Sequence, residues 1–396
     1  MQLPQLAPLA AAIEKLSALL RPVDVQQALI ADVVGRVLAA DLIADRDCPA
    51  LDMSAMDGYA LRLSEDLPAT LPVQATAAAG IEPLTLLPDH AIRIFTGAVV
   101  PAGADCVVRR EDTLEQPYRV QLTIPVGELQ LGQNIRRRGE NAPQGACLLP
   151  RGTLVDAASI PAVASFGAET LAVYRPLRVA VLNTGDELAE PGSPVAAWQI
   201  RDSNGPTLTA WLAGLRWIET ARRQRVGDTL QQVQAALAAQ LEHSDAILIT
   251  GGVSMGDTDY VPAAIQSLGG QIVFHRLPIR PGRPVLGAIL DGKLIIGLPG
   301  NPVSVAVTAR VVAEPLLRKM AGFGAAAPRL AVRLAETDSR RLDLTWFRLV
   351  TIDASGAIHL AKSRGSGDLV SLSLSHGFVE ISAGADGCGP VPLTLW

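Results

Sequence analysis

Residues 246–261 read AILITGGVSMGDTDYV, residues 277–290 LPIRPGRPVLGAIL, and residues 293–304 KLIIGLPGNPVS. Each segment joins an apolar run to a glycine-rich turn that carries polar groups. Buried parallel strands have this signature, and α/β proteins place ligands in the turns at the carboxyl ends of such strands. Gly251, Gly252, Gly256, Gly282 and Gly300 allow close approach of backbone to a ligand. Asp257, Asp259, Arg280, Arg283, Asn301 and Ser304 lie among them. Acids, guanidinium groups and backbone amides together suit an anionic ligand with a divalent cation.

Working outward, strands alternate with helices on both sides of this stretch. LRVAVLNTGDEL (177–188) is a strand with a polar turn, IRDSNGPTLTAWLAGL (200–215) a turn opening a helix, and DTLQQVQAALAAQLEH (228–243) a second helix. VPAAIQSLGG and NPVSVAVTARVVAEPLLRKM read as further helices. The alternation predicts a doubly wound parallel sheet over 176–326. Residues 8–44 carry apolar positions at helical spacing and predict two helices, with Asp24 capping the second. From Asp45 short alternating strands and Pro/Gly turns predict a β module over 45–144. A helix returns at 155–167, so residues 1–44 and 145–175 form a split helical domain around the insert. Residues 327–396 alternate strands and turns, compatible with a small β-barrel.

The chain has 396 residues, which implies several domains. Its formal charge of -5 argues against a nucleic-acid partner. The clusters RRRGE (136–140) and ARRQR (221–225) read as solvated surface. Four cysteines without metal-finger or CxxC spacing exclude a zinc or disulfide framework, and Cys106 reads as a buried strand residue. The start has no signal-peptide pattern and no run reaches membrane-span length, which predicts a soluble, cytoplasmic protein without membrane contact. GxxxxGK[ST] and an ordered GxGxxG are missing, which excludes P-loop and dinucleotide chemistry.

Seven motifs occur in order: SAMDGYA, IFTGAVVPAGAD, NIRRRGE, NTGDEL, TGGVSMGDTDY, PGRP and LPGNPVS. The series resembles the MoeA family of molybdopterin molybdenumtransferases over nearly the whole chain. The resemblance implies a multidomain α/β fold: a central MogA/MoaB-like molybdopterin-binding domain, an inserted β domain, a split helical domain and a C-terminal β-barrel. It further implies a homodimer whose cleft lies between the α/β domain of one subunit and the β domain of the other. The implied reaction inserts molybdate into adenylyl-molybdopterin with magnesium and releases AMP.

By motif match the catalytic candidates are Asp57, Thr96, Glu187, Asp228 and Asp259, of which Glu187, Asp228 and Asp259 would hold the metal. Asp228 reads equally as a helix cap, and Asp186 as a turn former. The molybdate candidates are Arg280, Arg283, Pro284, Ser304, Arg348 and Ser366. The molybdopterin and AMP candidates are Thr250, Gly251, Gly252, Ser254, Pro299, Gly300, Asn301 and Pro302. Asp202 either contacts the ligand or caps the following helix, and Asn204 reads as a cap. Relative to the family pattern, Arg280 and Arg283 replace lysines and Asn141 replaces an acid. A guanidinium keeps the charge but presents a planar fork, a change that bears on molybdate against tungstate preference. Two other readings stand beside insertion. One is a protein that binds or adenylylates the pterin, as MogA-like single domains do; in the insertion reading a MogA-like adenylyltransferase is instead a partner. The other is a non-catalytic scaffold of the same fold.

Overall fold

The computed structural model describes residues 6–254, 256, 259–337 and 340–396, so Asp257 lies outside the described residues. Two compact units are present. The first comprises Met1–Ala40, Arg151–Ile160 and Thr170–Trp396, and the second Asp41–Pro150 and Pro161–Glu169.

The first unit is built on a six-stranded sheet in the order Ile218–Val226, Leu177–Thr184, Ala246–Thr250, Lys293–Leu298, Leu286–Leu290, Gln271–His275. The first four strands are parallel. Their continuous apolar runs follow from burial on both faces. Val179, Val181, Ala246, Leu248, Leu294 and Ile296 pack on one face with Leu208, Leu212 and Val307. Ala180, Leu182, Ile247, Ile249 and Ile295 pack on the other with Val233, Leu237 and Ile265. Period-two alternation thus sends successive residues into separate apolar layers. ARRQR lies on the outer strand Ile218–Val226, where Arg222, Gln224 and Arg225 are exposed, as expected of solvated surface.

One strand runs against expectation. Leu286–Leu290 is antiparallel to Lys293–Leu298, with Leu286 opposite Gly297. The PGRP turn therefore precedes its strand instead of following it. Reversal places that turn at the edge where the parallel strands end, so it still shares an edge with TGG and PGN.

Residues 8–44 hold one α-helix, Leu9–Ser17, and not two. The second expected helix is a strand, Val25–Leu29, paired antiparallel with Thr170–Tyr174. Val37 and Leu38 make further bridges to Leu154 and Val173. Valine-rich sequence and Gly35 at φ +85° weaken the helix, and strand pairing with a distant segment wins. The helix expected over 155–167 shrinks to Ile160–Ser165. The helix from Pro302 continues to Met320, but its middle, Ala309–Ala313, is a π turn ahead of Pro315. Proline lacks an amide donor, and the widened turn accommodates it.

The C-terminal segment closes into a small barrel. Leu330–Val332, Val391–Leu395, Gly377–Ile381, Thr345–Ile352 and Ile358–Leu360 pair in that order. A bridge from Leu334 to Ile358 completes the ring. Ile279–Arg280 adds in parallel to Thr345–Trp346, which stitches the PGRP approach to a barrel strand.

The second unit contains a sheet in the order Cys106–Arg109, Gly58–Leu61, Ala91–Ile94, Thr70–Ala77, Arg119–Leu122, Thr113–Gln116. Cys106 is fully buried there, and burial pushes its thiol up to about 11, as expected of an inert packing residue. RRRGE is tied down rather than free: Arg136 pairs with Glu140, Arg137 with Asp52 and Arg138 with Asp47.

Candidate functional site

In the parallel sheet the strand order reverses direction between Leu177–Thr184 and Ala246–Thr250. Ligands of doubly wound sheets bind outside the carboxyl ends at such a point. The two strand ends are joined here. Asn183 Nδ2 donates to Thr250 Oγ1 at 2.7 Å, and Thr184 Oγ1 donates to the Thr250 carbonyl at 3.3 Å. Gly251 follows at φ +82°, and a Cβ on it would come within 2.6 Å of the Thr184 carbonyl. Backbone thus turns over the strand ends at a spot no other residue fits. The Gly252 carbonyl accepts from Val261, and the exposed Ser254 lies on the loop between them.

A cavity of about 640 Å³ opens beside this edge. Arg280, Arg283, Pro284, Ser304, Arg348 and Ser366 all line it, together with Pro299 and Asn301. Every expected molybdate residue therefore meets in one place. The described lining residues include four arginines, with Arg340 the fourth, and no carboxylate. Such a wall favours an anion of more than one negative charge. Ser366 is held by two bonds: Asn301 Nδ2 donates to its hydroxyl at 2.9 Å, and its carbonyl accepts from the Val303 amide at 3.0 Å. The Val303 amide at the start of the helix is accordingly used by protein. The Gly282 turn is held by packing, since a Cβ there would lie 2.2 Å from Thr308 Cγ2.

The three expected metal ligands do not form one cage. Among the described residues no group of three or more His, Cys, Asp or Glu side chains is disposed around a common point. Asp228 instead forms a reciprocal clamp with Asp186. The Asp186 amide donates to Asp228 Oδ2 at 3.0 Å, and the Asp228 amide to Asp186 Oδ1 at 3.3 Å. Glu187 lies over Gly185 in the same turn. Asp259 Oδ2 accepts from the Gly256 amide at 2.6 Å. Asp228 is not a helix cap, because Thr229 occupies that position and its side chain accepts from Gln232. Each of Asp186, Asp228 and Asp259 keeps an oxygen beyond these bonds. Hard carboxylate oxygens on separate loops fit magnesium in its common mode, with one or two protein ligands and the rest from phosphate and water.

Asp202 caps the following helix, accepting from the Gly205 amide at 2.9 Å, and also meets Arg223. Asn204 does not cap. Its Nδ2 donates to the Gly300 carbonyl at 2.7 Å, which fixes the Pro299–Pro302 turn from the neighbouring helix.

Within the second unit Asp57 and Thr96 are brought together. Thr96 donates its amide at 2.7 Å and its hydroxyl at 2.8 Å to Asp57 Oδ1. These bonds, with Arg110 and Arg93 nearby, hold the Asp57 carboxyl below the usual range.

Sequence reasoning missed Asn183 and Arg340, and gave Trp346 no role. Asn183 carried a signal, as a polar residue ending an apolar run in LRVAVLNT. Arg340 carried none that separates it from Arg341.

A parallel sheet with a built switch-point turn, an arginine-lined cavity shared with a β-barrel and an inserted β unit define a multidomain α/β protein for an anionic ligand. Residues 7–167 match the MoeA N-terminal region (domain I and II), and residues 180–319 match the probable molybdopterin binding domain. The molybdopterin molybdenumtransferase of Synechococcus elongatus is 35% identical over 392 residues, covering 95% of this chain and 96% of that protein. That of Nostoc sp. is 34% identical over 367 residues, covering 88% and 83%. The crystal structure of a molybdopterin biosynthesis MoeA protein from Pyrococcus horikoshii OT3 superposes with a TM-score of 0.83 at 25% identity, over 99% of this chain and 100% of that one. The chain belongs to the molybdopterin molybdenumtransferase family, and it is a transferase of molybdenum cofactor biosynthesis.

Proposed function

We infer that the chain inserts molybdate into adenylyl-molybdopterin with release of AMP, giving Mo-molybdopterin. The observation that carries this reading is the cavity lined by Arg280, Arg283, Arg340 and Arg348, with no carboxylate among the described lining residues, beside the switch-point turns. Guanidinium forks suit a tetrahedral dianion, and the serine hydroxyls of Ser304 and Ser366 add donors. Amides and hydroxyls of Thr250, Gly251, Gly252 and Ser254 are available to the pterin and its phosphates. The Pro299, Gly300, Asn301 and Pro302 turn lies between the two regions and would bring the dithiolene end of the substrate toward the oxyanion.

In this reading Glu187, Asp228 and Asp259 face the phosphoanhydride from separate loops. Magnesium, when bound there with substrate phosphates, would neutralise the charge that develops as AMP leaves. The residues themselves set the position of the phosphates and keep the anhydride oriented. Asp57 and Thr96 belong to the reading as a second-unit contribution from the partner subunit of a homodimer. A MogA-like adenylyltransferase would supply the adenylylated substrate. A cytoplasmic location accompanies the proposal; among the described residues no helix is long and apolar enough to cross a membrane.

The test is AMP release from adenylyl-molybdopterin by the purified chain with magnesium, with and without molybdate. Molybdate-dependent release, lost in Arg283→Ala and Asp259→Ala, supports insertion. Tight pterin binding without release would make the chain a carrier or scaffold. Adenylylation of free molybdopterin would favour the adenylyltransferase reading.

A further inference from the structure

We propose that Trp346 is the positioning residue of the oxyanion cavity, holding Arg280 and Arg348 ready for molybdate; the proposal rests on the insertion reading. Two guanidinium groups contact this one indole. The Arg280 Cζ lies 5.6 Å from the ring centroid and the Arg348 Cζ 4.1 Å. All three residues line the cavity.

The arrangement follows from two backbone facts. Trp346 and Arg348 are two apart on the strand Thr345–Ile352, so their side chains share a face. Arg280 is the direct parallel-ladder partner of Trp346, and the adjacent Ile279 is the partner of Thr345. The Thr345 amide also donates to the Pro278 carbonyl at 2.9 Å. A cation from the PGRP turn and a cation from the barrel are thereby led to the same ring. Trp346 itself does not move freely, being 9% exposed and packed with Val350, Val379 and Ile381.

The physical gain is preorganisation. A long arginine loses considerable rotamer freedom when an anion fixes it. Attraction of the guanidinium to the indole face removes part of that freedom beforehand and leaves the N–H edge for oxygens. A lysine at position 280 would keep charge but lose the planar contact. The arginine at 280 and the tryptophan at 346 therefore act as a pair.

The experiment is molybdate binding by calorimetry on the full chain, followed by AMP release as a function of molybdate. Trp346→Phe keeps a π face and should bind within about threefold of the parent. Trp346→Leu should bind about tenfold more weakly. Its KM for molybdate should rise by a like factor, with a far smaller change in kcat. Arg280→Lys should weaken binding in the parent and have no further effect in Trp346→Leu. Parent-like binding by Trp346→Leu, or fully additive losses in the double variant, would overturn the proposal. Should Trp346→Leu not fold, Arg280→Lys decides alone, since Arg280 is exposed and its replacement spares the core; unchanged molybdate affinity sinks the pairing. Failure of the parent to bind molybdate, seen before any substitution, removes the insertion reading itself.

Discussion

The side-chain amide of Asn301 donates to the hydroxyl of Ser366 at 2.9 Å, across 65 residues of sequence. One residue ends the PGN turn after a central parallel strand and the other sits in a loop of the barrel. The bond holds two walls of the cavity at a set distance. A neutral hydrogen bond contributes about 1 kcal/mol net, or about fivefold in an equilibrium constant. Asn301→Ala should raise the KM for molybdate by about that factor, while the exposed position leaves the thermal midpoint nearly unchanged. A titration of AMP release against molybdate checks it, and an unaltered KM would show that the walls hold without the bond.

Gly282 and Gly300 separate two reasons for a glycine. Gly282 is at φ +99° and pressed on Thr308, so Gly282→Ala should destabilise the fold by roughly 1–3 kcal/mol and displace Arg283. Gly300 has no positive φ, and a Cβ on it would meet nothing within 4 Å. Gly300→Ala should therefore leave the melting temperature intact and reduce affinity for the pterin substrate. Calorimetric unfolding and pterin binding on both variants make the comparison. Equal stability losses would place the need for Gly300 inside the protein.

Asp57 should stay ionised through the physiological range. Its folded pKa is depressed, chiefly by the Thr96 amide and then by the Thr96 hydroxyl. Its favourable interaction is present above the unfolded value, about 3.9, and is lost as pH falls through the lower folded value. An acidic limb in the pH–rate profile near neutrality then belongs to another group. Thr96→Val removes the hydroxyl and keeps the amide, so the carboxyl should titrate higher. Carbon-detected NMR titration of the carboxyl in both proteins tests this, and coincident curves would show that the hydroxyl does nothing.

Asp368 anchors the loop that carries Ser366. It accepts from the Arg364 amide at 2.8 Å, the Ser371 amide at 3.1 Å and the Ser371 hydroxyl at 2.6 Å. These bonds lower its carboxyl to about 2. The anchor is complete above the unfolded carboxyl value and released only as pH falls toward the folded one. Asp368→Asn should loosen the loop at neutral pH and weaken molybdate binding about threefold or more, through bonds that are individually modest. Full affinity in that variant would detach the loop from the site.

Much of this arrangement is legible in the chain because it depends on local chemistry. Apolar runs ending in TGG and PGN announce parallel strands and their ligand turns, and RPGRP announces a bend with two cations. The direction of Leu286–Leu290 is not legible, because periodicity is the same for parallel and antiparallel pairing. The strand Val25–Leu29 was hidden for a related reason. Its residues fit a helical spacing, and its partner Thr170–Tyr174 lies far along the sequence. Trp346 shows the same limit at the site: its pairing with Arg280 exists only through a ladder between distant segments. The acids at 187, 228 and 259 were legible as residue types, but not their placement on separate loops.

The Val25–Leu29 ladder with Thr170–Tyr174 has a consequence for synthesis on the ribosome. The amino-terminal strand emerges early and must wait for a partner about 145 residues later, after the whole inserted unit has been made. That unit has its own cores and can fold first, while the earlier strand remains unpaired. Its two ends are brought together internally, where Leu42–Ile43 pairs with Cys147–Leu149. Once formed, the insert shortens the effective gap between the waiting strand and its partner, which lowers the entropy cost of closing the ladder. The interruption of the first unit by the second thus imposes an order of assembly, in which the Val25–Leu29 ladder closes only after the inserted unit has been made.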